Sequence, residues 1–204
     1  MVMYPWLPVS FASFTEAIVF SIVYFGWAAS EIVGSLILPR LRQRREGVRL
    51  ERKDKGSGLT VNIGIFASLF IIFAFSRVQI GVLPGGVFYP GIALMIAGVV
   101  LRQWAVAVLG RFFSVLVSVQ DGQTLVKSGP YRFIRHPSYT GTLLTLTGIG
   151  LAVRSWAALL VLWVIFAIVY GYRIRVEEQT LIAHIGDEYV AYTEKTKMLI
   201  PFVL

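Results

Sequence analysis

Cysteine is absent from this chain of 204 residues. A disulfide framework, thiolate catalysis and cysteine-ligated zinc all need that side chain, so each of them is excluded. Histidine is scarce, with 2 residues, and 11 acidic residues stand against 19 Lys and Arg. The basic excess does not indicate nucleic-acid binding, because nothing resembles a nucleic-acid module and the cations follow the connections between apolar segments. Neither a nucleic-acid partner nor a metal is predicted.

Polar residues are few as well, since 56% of the chain is hydrophobic and its mean hydropathy is +0.72. This composition argues against a soluble domain. Windows approaching the length of a membrane crossing, about 20 apolar residues, predict five spans near 11–38, 59–80, 87–109, 138–153 and 155–172. The fourth is short enough to be a partial or bent span. The predicted fold class is all-α: a polytopic membrane protein with about five transmembrane helices and a cytoplasmic C-terminal helix.

Lys and Arg are divided unevenly among the connections. Residues 40–55 carry eight of them and eight more fall on the same predicted side, whereas Arg77 and Arg154 fall on the other. The positive-inside rule then places the N-terminus outside and the C-terminus in the cytoplasm. Met1–Ser10 lack the basic flank of a secretory signal, so the first apolar stretch is expected to be retained as an anchor. The short chain favours a prokaryotic plasma membrane.

The chain is interpreted as a single membrane domain, residues 1–204. Residues 1–97 hold the N-terminal spans and the basic cytoplasmic loop, and residues 98–204 form the second part. The connection at 39–58 is interpreted as a solvated loop that sets topology rather than as a binding site. Alternating valines at 115–119 permit a short strand.

Two polar clusters flank the last two spans. Residues 135–139 precede the fourth span, and Arg173, Glu177 and Glu178 begin where the fifth ends. A chain that crosses the membrane and returns brings both clusters to one edge. Arg173 and Glu177 stand four apart, so they share a helix face and can pair, either as a plain interfacial salt bridge or at a ligand. Glu178 lies about 100 degrees round the helix, so a pair of carboxylates sharing one proton is not expected.

Charged residues inside the predicted spans need an explanation. Arg102 would cost about 2.5 to 3.5 kcal/mol in the hydrocarbon, so it either reaches to the headgroups or binds a ligand. Glu16 and Glu31 in the first span raise the same question. The glycines at 148 and 150 lie inside a span rather than in a strand-to-helix turn, so they do not form a dinucleotide fingerprint.

Three segments of the second half resemble the isoprenylcysteine carboxyl methyltransferase family. They are Gln-Thr-Leu-Val at 123–126, Ser-Gly-Pro-Tyr at 128–131 and Arg-His-Pro-Ser-Tyr-Thr-Gly at 135–141. The family's later positions follow in order as Arg173, Glu177, Gly186, Glu188, Tyr189 and Pro201. The resemblance covers roughly residues 98–202, and it implies that residues 98–204 are the catalytic part with the cofactor pocket.

This resemblance implies an enzyme that uses S-adenosyl-L-methionine, held between the last spans and the cytoplasmic tail. The positions that match the family's cofactor contacts are Gln123, Thr124, Leu125, Val126, Tyr131, His136, Pro137, Ser138, Tyr139 and Glu177. Arg173 matches the residue at the acceptor carboxylate, so Arg173 and Glu177 are the implied catalytic residues. The implied acceptor is a lipophilic small molecule or a lipidated one, such as an isoprenylcysteine-like carboxylate, taken from among the membrane lipids.

Two departures from the family concern the acceptor and the pocket wall. Eukaryotic members have His at the position of Gln123, and Leu116 stands where they have a polar cofactor contact. The prenylated protein tail is therefore not carried over as the acceptor.

Other functions stay open on the same residues. An NADPH-dependent membrane reductase of the sterol reductase type also has Arg-His with Tyr and Gly before a late span. A methyltransferase acting on a phospholipid amine would need a base, for which Glu178 or His184 are the candidates. A non-enzymatic membrane interaction protein would use the polar clusters only as helix caps. The ordered series from Gln123 to Tyr189 favours the carboxyl methyltransferase.

Overall fold

The computed structural model describes residues 2–3, 10–47, 50–120 and 124–200. The α-helices of this part of the chain are α1 Phe14–Ser30, α2 Leu38–Arg45, α3 Ser57–Arg77, α4 Phe88–Leu109, α5 Pro137–Ala152, α6 Trp156–Ile185 and α7 Asp187–Lys195. A π-helical segment, Glu31–Ile37, joins α1 to α2, and 3₁₀ turns lie at Gly85–Val87, Gly110–Phe112 and Gly129–Arg132. Two antiparallel strand pairs are β1 Val2–Met3 with β2 Ser10–Phe11, and β3 Leu50–Arg52 with β4 Ser118–Gln120.

Four helical segments of the described chain are long and apolar enough to cross a membrane. They are Phe14–Arg45, Ser57–Arg77, Gly85–Phe112 and Trp156–Ile185. The predicted fourth crossing corresponds to α5, which has 16 residues. At 1.5 Å per residue it is about 24 Å long, shorter than the roughly 30 Å of a hydrocarbon core. The predicted helical, polytopic fold is confirmed, with the fourth segment short as expected.

The helices define two ends of the bundle, which we call the turn end and the site end. At the turn end, Arg154 between α5 and α6 donates from Nη2 to both carboxylate oxygens of Glu16, each at 2.7 Å. Ser155 Oγ donates to the carbonyl oxygen of Ile80, just after α3, at 2.7 Å. The site end therefore holds the starts of α3 and α5 and the ends of α1 and α4.

Glycines let α4 and α5 pack with their backbones in contact. A Cβ added to Gly98 would lie 2.5 Å from the nitrogen of Thr145, and one added to Gly141 would lie 2.7 Å from the oxygen of Gly98. A Cβ on Gly148 would lie 2.5 Å from the nitrogen of Met95. Small residues at such crossings are what allow membrane helices to approach closely. The contact fixes the start of α5 against the last turns of α4.

Replacing Gly98 with Val is expected to destabilise the protein by at least the 1 to 3 kcal/mol that is roughly typical of overpacking, because the new side chain meets backbone atoms that cannot rotate away. Gly171→Val in α6 is the matched control, since a Cβ there has nothing within 4 Å. Thermal unfolding of both variants in one detergent measures the difference. Equal melting temperatures would show that α4 and α5 do not pack this closely.

The chain after α6 folds back beneath α5. Gly186, with φ at 71°, separates α6 from α7. Arg135 Nη1 then donates to the carbonyl oxygens of Thr193 at 3.1 Å and Thr196 at 2.5 Å, at the end of α7. The predicted C-terminal helix and its bend are confirmed. The apolar anchor predicted at 201–204 lies outside the described residues.

Candidate active site

A cavity of about 530 Å³ lies at the site end. Residues of α1, α3, α4, α5 and α6 line it, together with the segments at 112–118 and 124–131. Sites for small molecules and cofactors typically have about 300 to 1,000 Å³. The cavity is thus large enough for a nucleoside-sized ligand.

Most residues predicted to contact the cofactor line this cavity. They are Thr124, Leu125, Val126, Tyr131, His136, Ser138, Tyr139 and Glu177, and Arg173 lines it too. Gln123 lies outside the described residues. Pro137 is the buried first residue of α5 and is not part of the cavity wall. The predicted meeting of the two polar clusters is confirmed, because His136 Nδ1 lies 3.8 Å from Glu177 Oε2.

Tyr139 separates the two residues that were expected to pair directly. Arg173 Nε donates to the hydroxyl oxygen of Tyr139 at 3.1 Å. The same hydroxyl donates to Glu177 Oε2 at 2.5 Å. The four-residue spacing did place Arg173 and Glu177 on one face of α6, but that face packs against α5, whose tyrosine fills the space between them. The possible direct ion pair is therefore not formed, and the hydroxyl of Tyr139 links the two side chains by hydrogen bonds.

The charge of Arg173 is paired with Asp54, on the connection before α3. Arg173 Nη1 donates to Asp54 Oδ1 at 2.5 Å. Asp54 also accepts from the backbone nitrogens of Gly58 at 2.9 Å and Val117 at 3.0 Å. Burial by itself would raise the pKa of Asp54, but these hydrogen bonds and the guanidinium hold that pKa below its usual range. The interpretation of 39–58 as only a solvated loop is wrong, because Asp54 and Ser57 accept hydrogen bonds from Arg173 and Gly58 lines the cavity.

Glu178 faces different neighbours from Glu177, as the helix geometry predicted. Its Oε1 accepts from Arg135 Nε at 2.8 Å and lies 3.1 Å from His136 Nε2. Since Arg135 also holds the end of α7, Glu178 ties α5, α6 and the C-terminal helix together.

The cavity wall of the described residues contains two carboxylates, Glu31 and Glu177. Glu31 pairs with Arg102, whereas no Lys or Arg of the described chain forms an ion pair with Glu177. Its side chain is 31% exposed. Burial raises the pKa of the nearby Tyr131 phenol well above its ordinary value, and the negative charge of Glu177 raises that pKa further. The phenol therefore stays protonated. A carboxylate without a guanidinium partner, facing a cavity, favours a ligand that carries positive charge.

The charged residues inside the predicted spans pair with each other across helices. Arg102 Nε donates to Glu31 Oε1 at 2.5 Å at the site end, and Arg154 pairs with Glu16 at the turn end. Pairing within the bundle is the usual condition for charges at membrane depth. The first pair lines the cavity and the second does not.

An apolar extension of the cavity, which we call the apolar arm, runs between α1 and α3. Its walls are Tyr24, Trp27, Ala28, Ile32 and Leu36 on one side, and Val61, Ile65, Phe66 and Leu69 on the other. Ile32 is 53% exposed and Phe66 is 71% exposed, so the arm reaches the outer surface of the bundle. That surface faces hydrocarbon in a membrane protein. One cavity thus combines a charged chamber with a lipid-side entrance.

These features define a polytopic membrane protein that encloses a charged chamber connected to the lipid side of the bundle. Residues 91–183 match the isoprenylcysteine carboxyl methyltransferase (ICMT) family.

Individual relatives are similar to part of the chain as well. A probable protein-S-isoprenylcysteine O-methyltransferase of rice, Oryza sativa, is 34% identical over 121 residues, which are 56% of this chain and 61% of the rice protein. The uncharacterized protein YpbQ of Bacillus subtilis is 33% identical over 92 residues, 45% of this chain and 55% of that protein. The solved eukaryotic intramembrane Ras methyltransferase ICMT matches with a TM-score of 0.56 and 25% identity, covering 70% of this chain and 52% of that one. The chain thus spans between half and two thirds of the length of these proteins.

Proposed function

We propose that the protein is an integral membrane methyltransferase that transfers a methyl group from S-adenosyl-L-methionine to the carboxylate of a lipophilic acceptor, such as an isoprenylcysteine-like molecule. The observation that supports this most is Glu177, a carboxylate without a guanidinium partner that faces a cavity reaching the lipid side. S-adenosylmethionine carries both a sulfonium and an ammonium cation, so it suits this carboxylate. The names of the relatives support the same reaction.

The polar chamber fits such a cofactor in size and in chemistry. Glu177 would accept from its amino or ribose groups, and Thr124, Leu125 and Val126 form the neighbouring wall. The stacked rings of His136 and Tyr139, with centroids 5.4 Å apart, form a rigid side of the chamber. Aromatic faces near a cation contribute further attraction.

The proposed reaction needs no general base, because a carboxylate is already ionised at neutral pH. When bound, S-adenosylmethionine supplies an electrophilic methyl group, and the products are a methyl ester and S-adenosylhomocysteine with no proton released. The protein's part is to exclude water and to hold the reacting groups in contact, which contributes up to roughly 7 to 11 kcal/mol in favourable cases. A chamber recessed between membrane helices serves that purpose.

Arg173 is proposed to contribute in two ways. It fixes Tyr139, and thereby Glu177, through the hydrogen bonds already described. Of the five N–H donors of a guanidinium, four are engaged with Asp54, Ser57, Val115 and Tyr139, which leaves one for an acceptor.

The proposed orientation places the site end and the C-terminus in the cytoplasm and the N-terminus outside. The described basic residues of the connection at 40–55 lie at the site end, as the positive-inside rule requires of a cytoplasmic face. Cytoplasmic S-adenosylmethionine would then reach the chamber from water while the acceptor enters from lipid. The Bacillus subtilis relative supports a prokaryotic plasma membrane.

Binding of the cofactor product distinguishes the candidate functions. S-adenosylhomocysteine at about 100 times its Kd should stabilise the folded protein by about 2.7 kcal/mol, seen as a rise in melting temperature in detergent, whereas NADPH should give no rise. Stabilisation by NADPH alone would instead support the membrane reductase. Stabilisation by neither would support a non-enzymatic membrane protein.

A further inference from the structure

Arg102 offers hydrogen-bond donors to the cavity that the described residues do not use. Its Nε donates to Glu31, and its Nη1 donates to Ser138 Oγ at 2.8 Å and Thr142 Oγ1 at 3.1 Å. No described residue accepts a hydrogen bond from Nη2. Among the described residues, the buried side-chain polar atoms without a hydrogen-bond partner are Ser35 Oγ and Ser118 Oγ. Nη2 of Arg102 is not one of them, so this unpaired nitrogen is not fully enclosed by protein atoms.

The guanidinium groups of Arg102, Arg135 and Arg173 line the cavity. Arg135 is held by Glu178 and by the carbonyl oxygens of Thr193 and Thr196, on the side of the C-terminal helix rather than of the apolar arm. The other two differ in what they can still bind. Arg173 has one N–H left, its side chain is 4% exposed, and the carboxylate of Asp54 already holds its Nη1. Arg102 keeps both N–H groups of Nη2, and its side chain is 16% exposed. A ligand carboxylate could bind Nη2 of Arg102 without displacing any described protein group, whereas a two-point contact with Arg173 would displace one of its four protein acceptors.

The position of Arg102 also suits a ligand that enters from lipid. Its partner Glu31 continues the α1 wall of the apolar arm, one turn after Trp27 and Ala28. Its partner Ser138 precedes Tyr139, whose hydroxyl holds the Glu177 carboxylate. Arg102 therefore stands between the apolar arm and the part of the chamber assigned to the cofactor. This is where the polar end of an acceptor must lie if its hydrocarbon tail occupies the arm.

We propose that Arg102 is the principal binding group for the acceptor carboxylate, with Glu31 fixing the guanidinium so that Nη2 points into the cavity. This proposal rests on the proposed function in one respect, because methyl transfer is what identifies the ligand as an acceptor. The anion site itself follows from the unused donors and the adjoining apolar arm.

The test measures binding of an anionic lipid-like probe separately from catalysis. Full-length protein in one detergent is titrated with N-acetyl-S-farnesylcysteine and with its uncharged carboxamide. The wild-type protein should bind the carboxylate roughly tenfold to hundredfold more tightly, as expected for charge-assisted hydrogen bonds. R102Q should abolish that preference, R102K should restore part of it, and S-adenosylhomocysteine affinity should stay unchanged in both.

Variants that remove both members of an ion pair control for misfolding caused by an unpaired charge. R102Q alone leaves Glu31 without its cation, whereas E31Q/R102Q removes both charges together. The matched control is E16Q/R154Q, which removes the equivalent buried pair at the turn end. The first double variant should lose the carboxylate preference, and the control should keep it.

The outcomes separate this inference from the proposed function. Retention of the carboxylate preference in R102Q and E31Q/R102Q would overturn the role of Arg102, and so would an equal loss in E16Q/R154Q. A weakened S-adenosylhomocysteine affinity in R102Q would show that Arg102 acts on the cofactor through Ser138 instead. If the wild-type protein prefers the carboxylate probe but transfers no methyl group, the proposed reaction is refuted and the anion-binding site at Arg102 is still supported.

Discussion

Glu177→Gln is expected to abolish measurable methyl transfer, lowering kcat/KM by at least about a hundredfold. The change keeps the size of the side chain and removes its charge. A hydrogen bond to a charged group contributes roughly 1.5 to 3 kcal/mol, which is about a tenfold to 150-fold loss in cofactor affinity. Any displacement of the donor relative to the acceptor lowers kcat further, since about 1 Å of misplacement can cost a hundredfold. Transfer of a labelled methyl group to a prenylcysteine analogue gives the rate, and titration with S-adenosylhomocysteine gives the affinity.

The control is Glu194→Gln, which makes the same chemical change at an exposed position of α7. It should leave both the rate and the affinity as in the wild type. Tyr139→Phe should be intermediate, because it removes the hydroxyl between Arg173 and Glu177 while keeping the ring stacked on His136. Unchanged affinity in Glu177→Gln, with a folded protein, would contradict the assignment of Glu177 to the cofactor.

The helices and the place of the site were predictable from the sequence for a simple physical reason. A bilayer requires long apolar windows, and those windows fix the crossings without knowledge of their packing. Two successive short windows between the polar clusters make a hairpin, so His136 and Glu177 had to return to one edge. The same argument could not show that α5 would be held so closely against α4, which depends on where Gly98 and Gly141 meet in space.

The partners of the buried charges were not predictable in the same way. The cost of a charge at membrane depth predicts that Arg102 has a partner, but it does not select Glu31, which lies 71 residues away. Arg173 and Asp54 are 119 residues apart. Spacing along one helix shows which side chains share a face, whereas the group that fills the facing space belongs to another helix or loop. The sequence contained one signal for Asp54: an Asp shortly before the start of a helix, here Ser57, often has a local structural role.

Asp54→Ala is expected to destabilise the folded protein by about 3 to 5 kcal/mol, because it leaves the charge of Arg173 buried without a counterion. Arg173 is 3% exposed, so water cannot replace the lost carboxylate. The same change removes the acceptor for the backbone nitrogens of Gly58 and Val117. Thermal or denaturant unfolding in detergent, at a fixed pH near 7, measures the loss.

A double-mutant cycle decides whether that loss comes from the pair itself. Asp54→Leu combined with Arg173→Met replaces both charges with apolar side chains, which is often far less costly than removing one partner. The double variant should therefore be more stable than Asp54→Leu alone, and the coupling measured against the two single variants should amount to about 0.5 to 3 kcal/mol. The cofactor chamber would persist in such a protein while Tyr139 loses its donor from Arg173, so S-adenosylhomocysteine should still bind and methyl transfer should fall. Additive effects of the single changes would mean that Asp54 supports the loop and the start of α3 rather than the guanidinium.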